Sequence, residues 1–266
     1  ARSEMCIRDR VSTMLKKLIG INIILTSILI GLFVSWMFYC IGDPSEFGHI
    51  SHTYAKLSNT DDTQIVKRID NATQPVGKII NDNNDSYGTA FIVDDHTIIS
   101  NSHVTKGDIR KTYFRPQVNT KHLEHAKTIE FTEKHEFKNR DIVIIHTKQS
   151  LSQYPHYDVT SQYPKWFEPT TSFGYPYMPK DKNSEFYIHQ TTYRFLFHRS
   201  ERFYVSGTIF HGSSGSPMLN KHGNVYGIAT FNYDDENHPS KHKGREISGG
   251  QLFTPSDVNF IKQNLK

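Results

Sequence analysis

Beyond residue 64 the apolar residues come in short runs, and turn residues close each one, which constrains the fold more than any other feature. Phe91-Ile92-Val93 and Ile98-Ile99 flank Asp94-Asp95-His96-Thr97, a pattern that predicts a β-hairpin. Ile142-Val143-Ile144-Ile145 is a β-branched run suited to a buried strand, and Val225-Tyr226-Gly227-Ile228-Ala229 is another. Gly174-Tyr175-Pro176 marks a turn. Many short strands joined by turns predict an all-β sandwich or barrels. One helix is expected, at the C-terminal end. Thr254 can cap it, Pro255 suits its first position and Asp257 stands three residues after the cap. Val258, Ile261 and Leu265 then share a face.

The N-terminal part is of a different kind. From Leu18 to Ile41 the chain is almost entirely apolar, long enough to cross a bilayer as a helix. Apolar residues surround the whole helix, which argues against a one-sided core helix. Lys16 and Lys17 precede it, and positive charge stays on the cytoplasmic side, so the rest of the chain is expected outside. A cleaved signal peptide and a retained transmembrane anchor are both open readings of residues 14–41. Cys40-Ile41-Gly42 is a weak cleavage site, and Trp36, Met37, Phe38 and Tyr39 suit an interfacial belt, which favours the anchor. Met-Phe-Tyr before Cys40 lacks the small residues that lipoprotein processing requires. Residues 1–13, with Glu4-Met5-Cys6-Ile7-Arg8-Asp9-Arg10, resemble the translation of a sequencing adaptor, so the natural start is expected at Met14. Residues 42–66 are polar and read as a linker or propeptide, which leaves 67–266 for the folded domain.

Composition removes several alternatives. The net charge of +4, from 31 basic and 27 acidic residues, is spread along the chain without a basic block, so no nucleic-acid partner is expected. Cys6 and Cys40 are the only cysteines, so the folded domain has no thiol nucleophile and no zinc–thiolate site. Among the 15 histidines, the pairs His122/His125 and His238/His242 lack a third ligand at fixed spacing, so neither metal nor organic cofactor is expected.

Three segments carry chemistry. In Gly212-Ser213-Ser214-Gly215-Ser216-Pro217, glycines around a serine let the backbone turn its amides towards a substrate carbonyl. A serine hydroxyl is a poor nucleophile until a base takes its proton and donors hold the oxyanion. The candidate donors are the amides of Gly212 and Ser214. His103 follows the apolar run Thr97-Ile98-Ile99 through Ser100-Asn101-Ser102, which can set it at a cleft edge as the base. Asp141 heads the run Ile142–Ile145, where a partly desolvated carboxylate can accept from imidazole. Each segment alone has an ordinary reading: a flexible loop, a surface histidine, a turn aspartate. The order His, Asp, Ser is that of the chymotrypsin-like enzymes and differs from the orders in α/β-hydrolases and subtilisins.

From about residue 69 to its end the chain resembles the staphylococcal glutamyl-endopeptidase group, which includes the exfoliative toxins and the Spl-type secreted proteases. Gly88-Thr89-Ala90-Phe91-Ile92-Val93 with Ile98-Ile99-Ser100-Asn101-Ser102-His103-Val104 is similar to that family's hairpin and histidine segment. Asp141-Ile142-Val143, Ser172-Phe173-Gly174-Tyr175-Pro176 and Gly212–Pro217 are similar to its aspartate, turn and serine segments. Phe253-Thr254-Pro255 and Phe260-Ile261-Lys262-Gln263-Asn264 resemble its last strand and terminal helix. The resemblance implies two six-stranded antiparallel β-barrels with an active site between them and a C-terminal helix. It implies a monomeric serine endopeptidase acting on protein or peptide substrates, with His103, Asp141 and Ser214 as its triad. An exported protein of a Gram-positive bacterium follows, secreted or held at the cell surface by a membrane segment. A binding protein that keeps the fold without activity is the alternative.

The chain departs from that pattern around the specificity pocket, whose walls are expected from Thr208, Ile209, His211, Ala229, Thr230 and Phe231. Relatives that prefer glutamate carry Thr-Thr-Gly before the oxyanion glycine and a histidine after Gly-Ile. Ile209-Phe210-His211 and Ala229 stand there instead. No aspartate occupies the floor position, where Thr208 falls, so a cationic side chain would lack a partner. The expected preference is for a neutral or apolar residue. Ser213 stands where trypsin-like digestive enzymes carry the aspartate that binds a new N-terminal amine, so activation by that ion pair is not expected. Arg68-Ile69 resembles a processing site.

Overall fold

A computed structural model of the chain describes residues 19, 21–23, 25–32, 64–71, 73–232 and 247–266. Two compact units divide the chain, residues 1–54 and 55–266. In the first, residues 21–23 and 25–32 are helical and expose apolar side chains such as Ile23 and Leu29. No helix among the described residues is long and apolar enough to cross a membrane. The expected adaptor remnant, the end of the apolar stretch, nearly all of the linker and the pair His238/His242 lie outside the described residues.

The second unit is built of two closed six-stranded antiparallel barrels. The first comprises β2 (Val76–Asn81), β3 (Ser86–Asp94), β4 (Thr97–Ser100), β5 (Thr112–Pro116), β6 (Ile129–Glu136) and β7 (Val143–Thr147). They close in the order β2-β3-β4-β7-β6-β5. The second comprises β8 (Pro169–Gly174), β9 (His189–Arg199), β10 (Arg202–Ser206), β11 (Pro217–Leu219), β12 (Val225–Asn232) and β13 (Ile247–Leu252). Its order is β9-β10-β13-β12-β11-β8, closed by pairing of β8 with β9. Closure leaves neither barrel with an open hydrogen-bonding edge.

An additional strand, β1 (Ile65–Arg68), pairs antiparallel with β9, Ile65 opposite Thr192 and Arg68 opposite His189. Ile65 and Val66 fall in the stretch read from the sequence as linker, yet they belong to this sheet. The Arg68-Ile69 bond is also inside paired backbone, because Ile69 N donates to Ile188 O at 2.9 Å. The Arg68 guanidinium lies 3.3 Å from the centroid of the Tyr187 ring.

The predicted hairpin forms, with Phe91 opposite Ile99 and Ile92 opposite Ile98. The run at Ile142–Ile145 is continuous because β7 is covered on both faces. Val143 and Ile145 point into the first barrel with Ile79, Ile92, Ile98 and Phe114. Ile142 and Ile144 point outward, into an apolar mass with Phe91, Phe173, Tyr175, Val225 and Phe253. That mass draws on residues from both barrels and packs them together. The interior of the second barrel holds Tyr193, Phe195, Phe203, Val205, Met218 and Tyr226.

The C-terminal helix α1 (Pro255–Gln263) has the expected capping box between Thr254 and Asp257. Val258 and Ile261 are buried against the shared apolar mass. Leu265 departs from the expectation: it lies past the end of the helix and is 39% exposed. Asn264 closes the helix at its C-cap, so the face that Val258 and Ile261 share ends before Leu265.

Candidate active site

His103 sits in a one-turn 3-10 segment, Ser102–Thr105, directly after β4. Asp141 precedes β7, the strand paired with β4. The two residues therefore meet at the same end of neighbouring strands. His103 Nδ1 is 2.6 Å from Asp141 Oδ2, and the His103 backbone amide donates to Asp141 Oδ1 at 3.0 Å. Both carboxylate oxygens are thus engaged by one residue. Burial pushes the Asp141 carboxyl up, but the hydrogen bonds and charge of His103, aided by backbone amides, hold it below the ordinary value. An ionised carboxylate only accepts, so the imidazole carries its proton on Nδ1 and leaves Nε2 as the basic nitrogen. The imidazole is half exposed, as an imidazole that meets a substrate must be.

Sequence reading missed the supports of this pair. Asn101 Nδ2 donates to the Asp141 carbonyl at 2.6 Å and to Thr230 Oγ1 at 3.0 Å, and Ser102 Oγ donates to Ile142 O at 2.9 Å. Arg140, beside Asp141, is nearly buried. Its guanidinium donates to Gln251 Oε1, to the Leu252 carbonyl and to Asp257 Oδ2, the last at 2.9 Å. The aspartate loop is thereby fixed to the second barrel and to the start of α1.

Ser214 lies on the loop between β10 and β11, in the second barrel, and is held by Thr89 of the first. The Thr89 amide donates to the Ser214 carbonyl at 2.8 Å, and Thr89 Oγ1 donates to the Gly212 carbonyl at 2.8 Å. Ser100 Oγ, at the end of β4, donates to the Thr89 carbonyl at 2.7 Å. The serine loop and the histidine segment therefore share Thr89 as an anchor. The Ser214 hydroxyl and His103 Nε2 make no hydrogen bond among the described residues; in substrate-free sites such contacts are often long.

The loop needs its glycines. Gly212 has φ +81°, and a Cβ there would lie 2.3 Å from the Tyr175 carbonyl oxygen. Gly215 has φ +88°, and its Cβ would lie 1.9 Å from the Thr89 carbonyl oxygen. Around them the amides of Ser213, Gly215 and Ser216 are spent on Phe210, Ala229 and Ser213 carbonyls. The amides of Gly212 and Ser214 donate to no described residue. Two unpaired donors flanking a serine are what an oxyanion site requires.

The residues expected to line the specificity pocket separate into groups. Ile209 and Ala229 are buried with Phe203, Val205, Met218 and Tyr226 in the barrel core. Thr230 faces Asn101. His211 is exposed, and its carbonyl accepts from the Tyr177 amide at 2.7 Å. Phe231 is part of β12, opposite Gly249, and its side chain lies outside the described residues. Thr208 is buried, with a hydroxyl that finds no partner among the described residues. Its backbone is clamped by Gln64: Gln64 Nε2 donates to the Thr208 carbonyl at 2.8 Å, and Gln64 Oε1 accepts from the Thr208 amide at 2.9 Å.

Comparison with solved structures gives the same architecture. The chain is similar to a Glu endopeptidase solved in complex with MPD, at 17% identity and a TM-score of 0.60, covering 76% of this chain and 97% of that one. It is also similar to a protease of M. tuberculosis in its inactive form, at 16% identity and a TM-score of 0.50, covering 73% of this chain and 91% of that one. At such identities the likeness speaks for the fold. No curated protein matches the chain. The trypsin-like peptidase domain model matches residues 88–228, which spans Thr89, His103, Asp141 and the whole serine loop. A paired imidazole and carboxylate beside strands of the first barrel and a glycine-turned serine on a loop of the second agree with that match: the chain belongs to the trypsin-like peptidase domain family.

Proposed function

We propose that the protein is a serine endopeptidase with His103, Asp141 and Ser214 as its catalytic triad. The observation that carries this is the 2.6 Å bond from His103 Nδ1 to Asp141, made in a chain whose Gly212 and Ser214 amides remain unpaired. His103 Nε2 takes the proton of Ser214 Oγ as that oxygen attacks the scissile carbonyl. Asp141 fixes the imidazole tautomer and stabilises the imidazolium, and the two amides hold the oxyanion of the tetrahedral intermediate. His103 then gives its proton to the leaving amine, and water releases the acyl group from Ser214 by the same steps in reverse order. No residue of this scheme requires a metal or an organic cofactor.

The substrate is a protein or peptide with a neutral or apolar side chain at the cleavage position. Neither an aspartate nor a pocket histidine stands at the positions that would favour a charged one. The apolar stretch from Leu18 to Ile41 supports an exported enzyme, secreted or held at the cell surface. Ser214→Ala is the test. The wild-type chain is expected to hydrolyse a peptide library and to be labelled by a fluorophosphonate, and the variant to do neither while keeping its circular dichroism. Labelling that persists in the variant, or a well-folded wild type that neither hydrolyses nor reacts, would reject the reading; the second outcome favours a binding protein on this fold.

A further inference from the structure

Glu133, His135 and His146 come together on the outer face of the first barrel, at the opposite end of β7 from Asp141. Val143 and Ile145 face the barrel interior, so His146 faces outward. It stands directly opposite Glu133 of β6, and His135 stands opposite Ile144. The β6–β7 register shifts between Phe131 and Glu133. Such an irregularity re-aims a side chain, and here it turns the carboxylate towards both rings.

We propose that Glu133, His135 and His146 bind a divalent transition cation of the Zn²⁺ class. One nitrogen of each ring and one carboxylate oxygen lie within 4.8 Å of one another. His146 Nε2 is 4.0 Å from Glu133 Oε1, and His135 Nε2 is 3.9 Å from Glu133 Oε2. Tetrahedral zinc with ligands at roughly 2.0–2.2 Å needs ligand atoms about 3.3–3.6 Å apart, a contraction that small side-chain rotations supply. Two imidazoles and one carboxylate form a ligand set that zinc accepts, with a fourth position left for solvent.

His146 is the second observation. Its side chain is 2% exposed, and its Nε2 makes no hydrogen bond among the described residues. The ring is packed in place, with that nitrogen facing the Glu133 carboxylate and open to a ligand. Its other nitrogen, Nδ1, is 3.3 Å from the buried Thr97 Oγ1. A proton held there leaves the Nε2 lone pair aimed at Glu133, the arrangement by which outer groups orient histidine ligands. Glu133 and His135 are partly exposed, which gives a cation a path from solvent. At present the Lys266 ammonium bonds Glu133 Oε1, while the Lys266 amide donates to Asp94 Oδ2 at 2.6 Å. The cation takes the place of that ammonium and joins β6 to β7 at the face opposite the barrel interior.

The test is equilibrium dialysis of the full chain against Zn²⁺, with metal content and thermal unfolding as readouts. The wild type is expected to hold one cation at this site and to unfold at higher temperature with it. Glu133→Gln and His135→Ala, both at exposed positions that leave the fold intact, are expected to lose that cation and the thermal shift. Thr97→Val is expected to weaken binding about 10- to 100-fold, since it removes only the group that orients His146. Lys266→Met is expected to tighten it by removing the competing ammonium. His122→Ala with His125→Ala serves as control and is expected to leave binding unchanged. Wild type without bound Zn²⁺, or Zn²⁺ retained in Glu133→Gln and His135→Ala and lost in the control, would overturn the site.

Discussion

The amide of Thr89 donates to the carbonyl of Ser214 at 2.8 Å, so the serine loop of one barrel hangs on a strand of the other. The Thr89 hydroxyl holds the Gly212 carbonyl in the same way. Thr89→Val keeps the first bond and removes the second, leaving the buried Gly212 carbonyl and the Tyr175 amide, which donates to the same hydroxyl at 3.2 Å, unpaired. It is expected to lower stability by about 1–3 kcal/mol and to reduce kcat more than it raises KM. Urea unfolding followed by steady-state kinetics reads both.

Asp141→Asn keeps the shape of the acid and loses its charge. An asparagine offers the imidazole a donor as well as an acceptor, so the ring can take the wrong tautomer. A fall in kcat of about 10⁴-fold is expected, measured on a peptide ester under saturating substrate. A loss of less than tenfold would argue that another group orients His103.

The same substitution reports on pH. The folded-state pKa of Asp141 is depressed below 3.8 by His103, which outweighs the opposing effect of burial. A depressed carboxylate stabilises the folded state above its unfolded pKa, and that gain vanishes as pH falls through the lower folded value. The melting temperature of the wild type is therefore expected to exceed that of Asp141→Asn at about pH 5, with the margin narrowing towards pH 2. Thermal scans across that range decide it.

Gly215→Ala places a methyl group where the Thr89 carbonyl already sits, 1.9 Å away, at φ +88°. No flexible side chain can move aside. The expected cost exceeds about 4 kcal/mol, seen as loss of the cooperative transition in urea.

Arg140→Met removes the partner of the nearly buried Asp257. Breaking a buried pair on one side costs about 3–5 kcal/mol, and the lower end is expected because Asp257 keeps its capping bonds to Thr254. Chemical denaturation measures the loss. Arg140→Met with Asp257→Asn is expected to recover part of it.

What the sequence disclosed depended on local pattern. The run at Ile142–Ile145 is legible because burial on both faces leaves it uniformly β-branched, and the capping of α1 is legible because Thr254, Pro255 and Asp257 act within one turn. Strand β6 is silent: Ile129-Glu130-Phe131-Thr132-Glu133-Lys134-His135-Glu136 has apolar residues at one end only, since most of its other residues meet solvent or charge. Strand β1 is four residues long and mostly exposed, so nothing separates it from a linker. At the site, His103, Asp141 and Ser214 are marked by their neighbours in the chain. Arg140 meets Gln251, Leu252 and Asp257 across more than a hundred residues, and no periodicity foretells such a contact. The burial of Ile209 and Ala229 in the barrel core is likewise a property of closure, not of spacing.

Gln64, one residue ahead of the first strand, closes both backbone groups of Thr208 with a single side-chain amide. Tension applied upstream of it would reach Thr208, on the connection between β10 and β11, through two hydrogen bonds. A pull on the chain ahead of the first strand would thus be felt on the same connection that carries Ser214.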